Sequence, residues 1–173
     1  MVGEARERLG RKRMPSLCIL DAQSVKNADT ASVKGYDAGK KVSGIKRHIA
    51  VDTQGFPHAI AITTANVTDR NGGLEAISLA GEGLFGVQTV LVDGGYTGEP
   101  FATGVDARIG AQVEVVKRSE LHEFVVMPKR WIVERTFGWL DKCRRLWKNC
   151  ERHLHTSLSM LHFAFIAILL RRL

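Results

Sequence analysis

The order of apolar and polar stretches along the chain predicts a series of strands connected by turns and helices. Short, continuous apolar runs at residues 16–23 and 87–92 are typical of strands that are buried on both faces. The runs at 46–52 and 57–64 flank a turn that contains Gly55, which predicts a hairpin. A last strand is predicted at 111–116, whereas the polar, Gly- and Lys-rich residues 26–45 predict a loop.

Helix signals fill the spaces between the strands. Thr68 is a favourable capping residue for a helix that ends before Gly81, and Pro128 is a favourable first residue for a long helix. Four helices are predicted, at 69–80, 99–107, 128–149 and 155–172. Strands and helices in this order predict an α/β fold with a mixed, partly antiparallel sheet flanked by helices.

Length and charge indicate one globular domain with an anionic partner. The chain has 173 residues, of which 45% are hydrophobic, and these values suit one packed core. Its net charge is +7, which favours a polyanionic partner, although ordinary solvated surface charge is an alternative explanation. Residues 1–15 are interpreted as a charged lead-in and residues 16–173 as the domain itself.

The charge is unevenly distributed along the chain. Residues 1–68 carry 11 basic and 6 acidic side chains, residues 69–110 carry 2 and 6, and residues 117–152 carry 10 and 5. An acidic middle between basic flanks suits a metal-binding centre within a positively charged groove.

Cysteine usage and hydropathy favour a cytoplasmic protein that does not bind membranes. The three cysteines are odd in number and form no CxxC motif, which argues against a disulfide framework or a zinc site. The apolar C-terminal stretch 160–170 is too short to span a bilayer and is interpreted as a buried helix.

Three separated carboxylates are the candidate catalytic residues. Asp21 and Asp93 each follow an apolar run and are placed at strand ends, and Glu134 lies in the predicted long helix. Carboxylates that meet at one point repel each other unless cations neutralise them, so the set predicts a site for two Mg²⁺ or Mn²⁺ ions that supports phosphoryl transfer. The alternative for each residue alone is an ordinary cap or salt bridge.

Basic residues around these acids are candidate contacts to phosphate. Lys46 and His48 alternate with Arg47 on one predicted strand, so the first two share a face. The candidate DNA-binding residues are Lys40, Lys41, Lys46, His48, Lys117, Arg118, Arg130, Arg135, Lys142, Arg144 and Arg145. Trp131, Trp139 and Trp147 recur every eight residues; core packing is the favoured role and stacking on DNA bases the alternative.

Four ordered blocks resemble the DDE transposases of bacterial insertion sequences, specifically the insertion sequence 5 family within the insertion sequence 4 superfamily. They begin at Leu20-Asp21-Ala22-Gln23, Gly44-Ile45-Lys46-Arg47, Val92-Asp93-Gly94-Gly95 and Arg130-Trp131-Ile132-Val133-Glu134, and together they span roughly residues 16–150.

The resemblance implies a ribonuclease H-like fold in which Asp21, Asp93 and Glu134 bind two Mg²⁺ or Mn²⁺ ions. It also implies that the partner is double-stranded DNA, both the transposon ends and the target, in a bacterial, nucleoid-associated setting. In the signature of the superfamily, a Tyr and an Arg precede the Glu and a Lys follows it. Arg130 matches, but Met127 replaces the Tyr and Asp141 the Lys. Lys142 lies one residue beyond the Lys position, and the neighbouring Arg144 and Arg145 could substitute for the Lys.

Relatives of this kind carry an N-terminal helical region that binds the inverted repeats, and only about 15 residues precede the first predicted strand here. The chain is therefore interpreted as a catalytic portion, with a separately encoded N-terminal half and a second copy of the chain as possible partners. The leading hypothesis is an endonuclease and strand-transfer enzyme of a mobile element. The alternatives are a non-catalytic DNA-binding remnant and a nuclease of the same fold that acts in repair or RNA removal.

Overall fold

The computed structural model describes residues 1–116 and 130–172, and the side chain of Arg130 lies outside that description. The strands are β1 (Leu17–Lys26), β2 (Gly35–Asp37), β3 (Val42–Val51), β4 (Pro57–Thr64), β5 (Thr89–Val92) and β6 (Gln112–Val115). The helices are α1 (Val2–Arg8), α2 (Asp69–Ala80), α3 (Glu99–Ile109), α4 (Arg130–Asp141) and α5 (Leu154–Leu170). Short 3-10 turns at Gly81–Leu84 and Gly94–Tyr96 flank β5.

The strands form one mixed sheet that is antiparallel at one end and parallel at the other. The order is β2-β3-β1-β5-β6, and β4 pairs with β3 alongside β2. β3 is antiparallel to β1, β2 and β4, whereas β5 runs parallel to both β1 and β6. β1 therefore lies at the centre, where the antiparallel hairpin meets the parallel pair.

Helices cover both faces of the sheet, and strand alternation divides the core between them. Leu20 belongs to a buried cluster with residues of α2 and α3, including Ile77 and Phe101. Its neighbour Ile19 faces the other way and packs in a cluster with residues of α4 and α5, such as Val133 and Phe165. Successive side chains of β1 pack against helices on opposite faces of the sheet. Both faces of the strand are therefore buried at its start, which explains the continuous apolar run there.

Most predicted elements are found, and the hairpin, the parallel strands and α5 agree closely with the prediction. The predicted cap of α2 is confirmed, since the Thr68 hydroxyl accepts a hydrogen bond of 3.2 Å from the Asn71 amide. The interpretation of 26–45 as a loop throughout is wrong, because it contains β2 and the start of β3. The polar residues in this region pair at a partly exposed edge of the sheet, which removes the apolar signal of a strand.

The long helix ends earlier than predicted, at Asp141 instead of Asn149. The chain then turns back toward the end of β1: the Asn149 amide donates to Lys26 O at 2.9 Å, and the Ala28 amide donates to Asn149 O at 2.8 Å. A helix that continued through Asn149 would use these backbone groups internally and would lose this contact.

The N-terminal helix packs on the domain. Ala5 is buried against Phe56 and Leu169, and Arg6 is also buried. Within residues 1–116 and 130–172, no helix is both long and apolar enough to cross a membrane.

Candidate functional site

Asp21 on β1 and Asp93 just after β5 lie at equivalent distances from the parallel pairs that join these two adjacent strands. Leu17 pairs with Thr89 and Ile19 pairs with Leu91, an offset of 72 residues that also relates Asp21 to Asp93. Asp93 directly follows β5 in extended conformation, and both aspartates line the same narrow cleft. The structure therefore brings these two predicted site residues together.

The prediction that Asp21 ends a strand is wrong. β1 continues to Lys26, so Asp21 lies in its middle, where it pairs with Ile49 of β3. The strand is longer because it changes neighbours: the parallel pairing to β5 stops at Ile19 while the antiparallel pairing to β3 continues. The divergence of the strands beyond Ile19 opens the cleft in which Asp21 lies.

Local backbone contacts orient both carboxylates. An Asp93 oxygen accepts a hydrogen bond of 2.8 Å from the Gly95 amide and caps the 3-10 turn that follows. Oδ1 of Asp21 accepts one of 2.7 Å from the Ala22 amide. These hydrogen bonds fix the positions of the two carboxylates at the cleft.

Glu134 is carried by α4, the helix that covers the face of the sheet to which Ile19 belongs. Val133 and Phe137 anchor α4 in the same buried cluster as Ile19 and Leu91, and Glu134 itself is exposed. In the part of the chain that the structure describes, no three His, Cys, Asp or Glu side chains are close enough to share a metal ion. The two aspartates thus share a cleft, whereas Glu134 does not complete a three-residue cluster.

Two predicted DNA contacts, Lys46 and His48, are buried and form part of the core. The Lys46 ammonium lies 2.8 Å from Asp69 and 3.2 Å from Asp37. His48 Nε2 lies 2.9 Å from the Thr63 hydroxyl, and burial lowers the pKa of His48 to about 4. Neither side chain can reach DNA from these positions, so the prediction is corrected for both.

The acidic partner Asp37 is strongly held in its charged form. Burial acts to raise the pKa of Asp37, but hydrogen bonds from Ser24, the Lys40 amide and Lys46 outweigh it and lower the pKa to about 2. Ser24 donates to Asp37 at 2.6 Å, so this network ties β1 to β2 and β3. Sequence spacing gives no signal for it, because the groups are brought together only by pairing of the strands.

Other predicted contacts lie on the surface. Lys40 Nζ donates to the carbonyl of Ala22 at 3.0 Å and lies 3.7 Å from the carboxylate of Asp69. Arg145 forms an ion pair with Glu151. The exposed set comprises Lys40, Lys41, Lys142, Arg144 and Arg145. Predictions for Lys117 and Arg118, and for the side chain of Arg130, lie outside the described residues.

Asp141, which stands where the resembling signature has Lys, is used to hold α4 in place. Its carboxylate accepts a hydrogen bond of 3.0 Å from Gln23 and lies 3.8 Å from the buried guanidinium of Arg47. Arg47 also donates to the carbonyl of Leu146, and burial lowers its pKa to about 10 despite the opposing charge of Asp141. This contact joins α4 to β1 and β3.

The favoured core role of the tryptophans is wrong for two of the three. Trp131 is 48% exposed and Trp147 is 64% exposed, and Trp147 lies beyond the end of α4. The guanidinium carbon of Arg135 lies 4.6 Å from the centre of the Trp131 ring and 4.7 Å from that of Trp139. The spacing of four residues between each Trp and Arg135 is a sequence signal that could have identified this row.

Comparison with protein families matches residues 12–170 to the family described as Transposase DDE domain. The chain is also similar to a Burkholderia cepacia protein named "Putative transposase for insertion sequence element IS402", at 33% identity over 132 residues. That alignment covers 72% of this chain and 60% of the relative, so the chain spans only part of the length of the relative.

Among solved structures, the chain is similar to one from the cryo-EM structure of a simian T-cell lymphotropic virus intasome in complex with PP2A regulatory subunit B56 gamma. The TM-score is 0.54 at 16% identity, with 88% of this chain and 48% of that chain covered. Together with the sheet order, this similarity identifies the ribonuclease H-like fold.

Proposed function

Because the chain belongs to the Transposase DDE domain family, we propose that it supplies the catalytic domain of a transposase that cuts DNA at insertion-sequence ends and joins them to target DNA. Residues 16–173 form this domain, and 1–15 are its lead-in. Within the family we place it in the insertion sequence 5 group of the insertion sequence 4 superfamily, on the four sequence blocks described above.

One observation carries the proposal: Asp21 and Asp93 each lie two residues beyond the last parallel pair of β1 and β5, Ile19 with Leu91, and both line one cleft. In open α/β sheets, ligands bind beyond the carboxyl ends of parallel strands, which is where this cleft lies. Two carboxylates side by side repel each other unless a cation or an added proton compensates them.

The donor set fits divalent cations that prefer oxygen ligands, Mg²⁺ or Mn²⁺. Asp21 and Asp93 would hold them, with Glu134 added from α4. When bound, a pair of such ions supplies Lewis-acid activation of the attacking hydroxyl and stabilises charge on the leaving oxygen.

The side chains of the protein then act mainly by positioning. In hydrolysis, the oxygen of water bonds to phosphorus, the bond to the 3′-oxygen breaks, and that oxygen takes a proton. In strand transfer, the oxygen of the freed 3′-hydroxyl loses its proton and bonds to a phosphorus of the target DNA. The bond from that phosphorus to the 3′-oxygen of the target breaks, and the displaced oxygen takes a proton. Asp21 and Asp93 are held by their backbone hydrogen bonds. Exposed lysines and arginines bind the DNA backbone, which fixes the scissile phosphate in the cleft.

A cleavage and strand-transfer assay on a pre-nicked transposon-end duplex tests the proposal. We expect Asp93→Asn to abolish Mg²⁺-dependent product formation while DNA affinity stays within about twofold, because the substitution preserves side-chain shape and leaves in place the lysine and arginine contacts to phosphate that dominate DNA affinity. Asp106→Asn, the same change at an exposed residue of α3, is the matched control and should leave activity unchanged. Equal cleavage by Asp93→Asn and the parent would refute the site.

A non-catalytic DNA-binding remnant is the second candidate. It is favoured by one observation: the described residues contain no three-residue metal cluster. The same assay separates the two, because a remnant binds DNA and yields no metal-dependent product in any variant, including the parent.

A further inference from the structure

A stack of cations and aromatic rings runs along the outer side of α4 and continues onto the end of α5. Trp131, Arg135 and Trp139 are spaced four residues apart and so form one row on the helix surface. Arg172, from the turn after α5, adds to the row: its guanidinium carbon lies 3.9 Å from the centre of the Trp139 ring. One indole is therefore contacted by two arginines.

Among the described residues, no carboxylate forms an ion pair with either arginine of this row. Nη2 of Arg135 donates to the carbonyl of Gln54 at 3.0 Å, and its buried Nε has no hydrogen-bond partner. Burial and the nearby charge of Arg135 both lower the pKa of Arg172, which means that the two cations destabilise each other. An anion bound between or beside them would relieve that repulsion.

A cavity of about 300 Å³ opens next to the stack, between α4 and α5. Trp139 forms one side, Lys142, Arg171 and Arg172 supply positive charge, and small apolar residues of α5 form the floor. Within residues 1–116 and 130–172, no acidic side chain lines it. A cavity with an aromatic wall, an apolar floor and three cations suits a ligand that carries a phosphate on an apolar ring, which is the chemistry of a nucleotide.

We propose that this cavity binds the DNA backbone, with a phosphate on Arg171 and Arg172 and the adjoining sugar or base against Trp139. The proposal rests on the proposed function, since it takes DNA as the substrate. The site lies on the helix that carries Glu134, five residues before Trp139. Binding at this cavity therefore also holds α4 while DNA occupies the cleft, and Arg171 and Arg172 become DNA contacts that the sequence motifs do not mark.

The salt dependence of DNA binding tests the site without any catalysis. Binding of a labelled duplex by Asp93→Asn protein is measured by fluorescence anisotropy in EDTA over a range of salt concentrations. Each phosphate contact contributes about 0.9 to the slope of log affinity against log salt. Arg171→Gln with Arg172→Gln removes the one phosphate contact and should lower the slope by about 0.9, and Arg172→Gln alone should lower it by part of that amount. Arg108→Gln on α3 removes one charge from the opposite layer and should leave the slope unchanged.

A second measurement uses Trp139 itself as the reporter, in protein that keeps both arginines. Trp131→Phe with Trp147→Phe leaves Trp139 as the single tryptophan reporter, because the chain contains three. Saturating DNA should change the fluorescence of this variant, and the change should disappear when Arg171→Gln and Arg172→Gln are added. Unchanged fluorescence at saturation overturns the site, as does a slope for Arg172→Gln equal to that of Arg108→Gln.

The two proposals fail differently. If Asp93→Asn abolishes cleavage while the arginine variants bind as the parent does, the cavity is not a DNA site and the proposed function stands. If the parent binds no DNA, both proposals fall.

Discussion

Arg6 of α1 forms a buried ion pair with Asp52, the residue that follows β3. Oδ1 of Asp52 also accepts hydrogen bonds from the amides of Gln54, at 2.8 Å, and Phe56, at 3.0 Å, and His58 lies 3.3 Å from Oδ2. Burial acts to raise the pKa of Asp52, but these partners outweigh it and lower the pKa. The N-terminal helix is thus tied to the turn that connects the two antiparallel strands.

Removing one member of this pair should destabilise the domain strongly. Arg6→Met leaves the Asp52 charge buried without its guanidinium, a change that typically costs about 3–5 kcal/mol of unfolding free energy. Urea denaturation followed by circular dichroism measures it. Arg13→Met, which disrupts an exposed pair with Glu7, is the control and should cost less than about 1 kcal/mol. Similar losses in the two variants would show that the Arg6 pair is not specially important.

The buried His48 should make stability decrease in mild acid. Burial lowers its pKa from 6.5 to about 4, with Asp69 opposing the shift and Lys46 and Lys40 adding to it. Between these two pKa values the unfolded chain binds a proton that the folded chain does not. The contribution of His48 to the free energy of unfolding is therefore complete above about pH 6.5 and is lost as pH falls toward 4. The slope of the unfolding free energy against pH approaches about 1.4 kcal/mol per pH unit in that window.

Urea titrations between pH 7 and 4.5 check this. His48→Gln should reduce the slope of unfolding free energy against pH by an amount that corresponds to nearly one proton. His155→Gln, at an exposed position of α5, should leave that slope unchanged. A slope that persists in His48→Gln would assign the acid sensitivity to other groups.

Two glycines should respond in opposite directions to the same substitution. A Cβ on Gly72 of α2 would lie 2.0 Å from the His48 ring, which is buried and held by Thr63, so Gly72→Ala should cost about 1–3 kcal/mol. Gly138 lies on the exposed side of α4 with no atom within 4 Å of an added Cβ, and Gly138→Ala should add about 0.5–1 kcal/mol by restricting the unfolded chain. Thermal or urea unfolding of both variants beside the parent measures the contrast. A neutral Gly72→Ala would mean that His48 has room to move.

Helices and strands of this fold could be predicted from the sequence wherever the pattern of apolar residues within an element matches the pattern of its buried side chains. The hairpin, α2 with its Thr68 cap and the short parallel strands were read correctly because each has its own apolar pattern and turn residues. The end of α4 could not be predicted in the same way, because residues 142–149 have a composition that is compatible with a helix. Their path is decided by a contact between Asn149 and the end of β1, more than 120 residues earlier in the chain.

The same division holds in the site. The proximity of Asp21 and Asp93 could be predicted because each follows an apolar run of the sequence, although the length of β1 could not. Lys46 and His48 were misassigned because alternation shows which residues share a face but not whether that face is covered. Here α2 covers it, and Gly72 lets the helix approach the His48 ring closely.

Metal binding by the DNA-free protein should depend unequally on the three acids. Asp21 and Asp93 line one cleft, while the described residues show no three-acid cluster that includes Glu134. Mn²⁺ affinity, measured by isothermal titration calorimetry, should therefore fall about tenfold or more for Asp21→Asn or Asp93→Asn, a loss of about 1.4 kcal/mol. Glu134→Gln should change it less than about threefold, and Asp106→Asn not at all. If Glu134→Gln weakens binding as much as Asp21→Asn does, the glutamate already belongs to the resting site, and α4 must lie closer to the cleft than the structure places it.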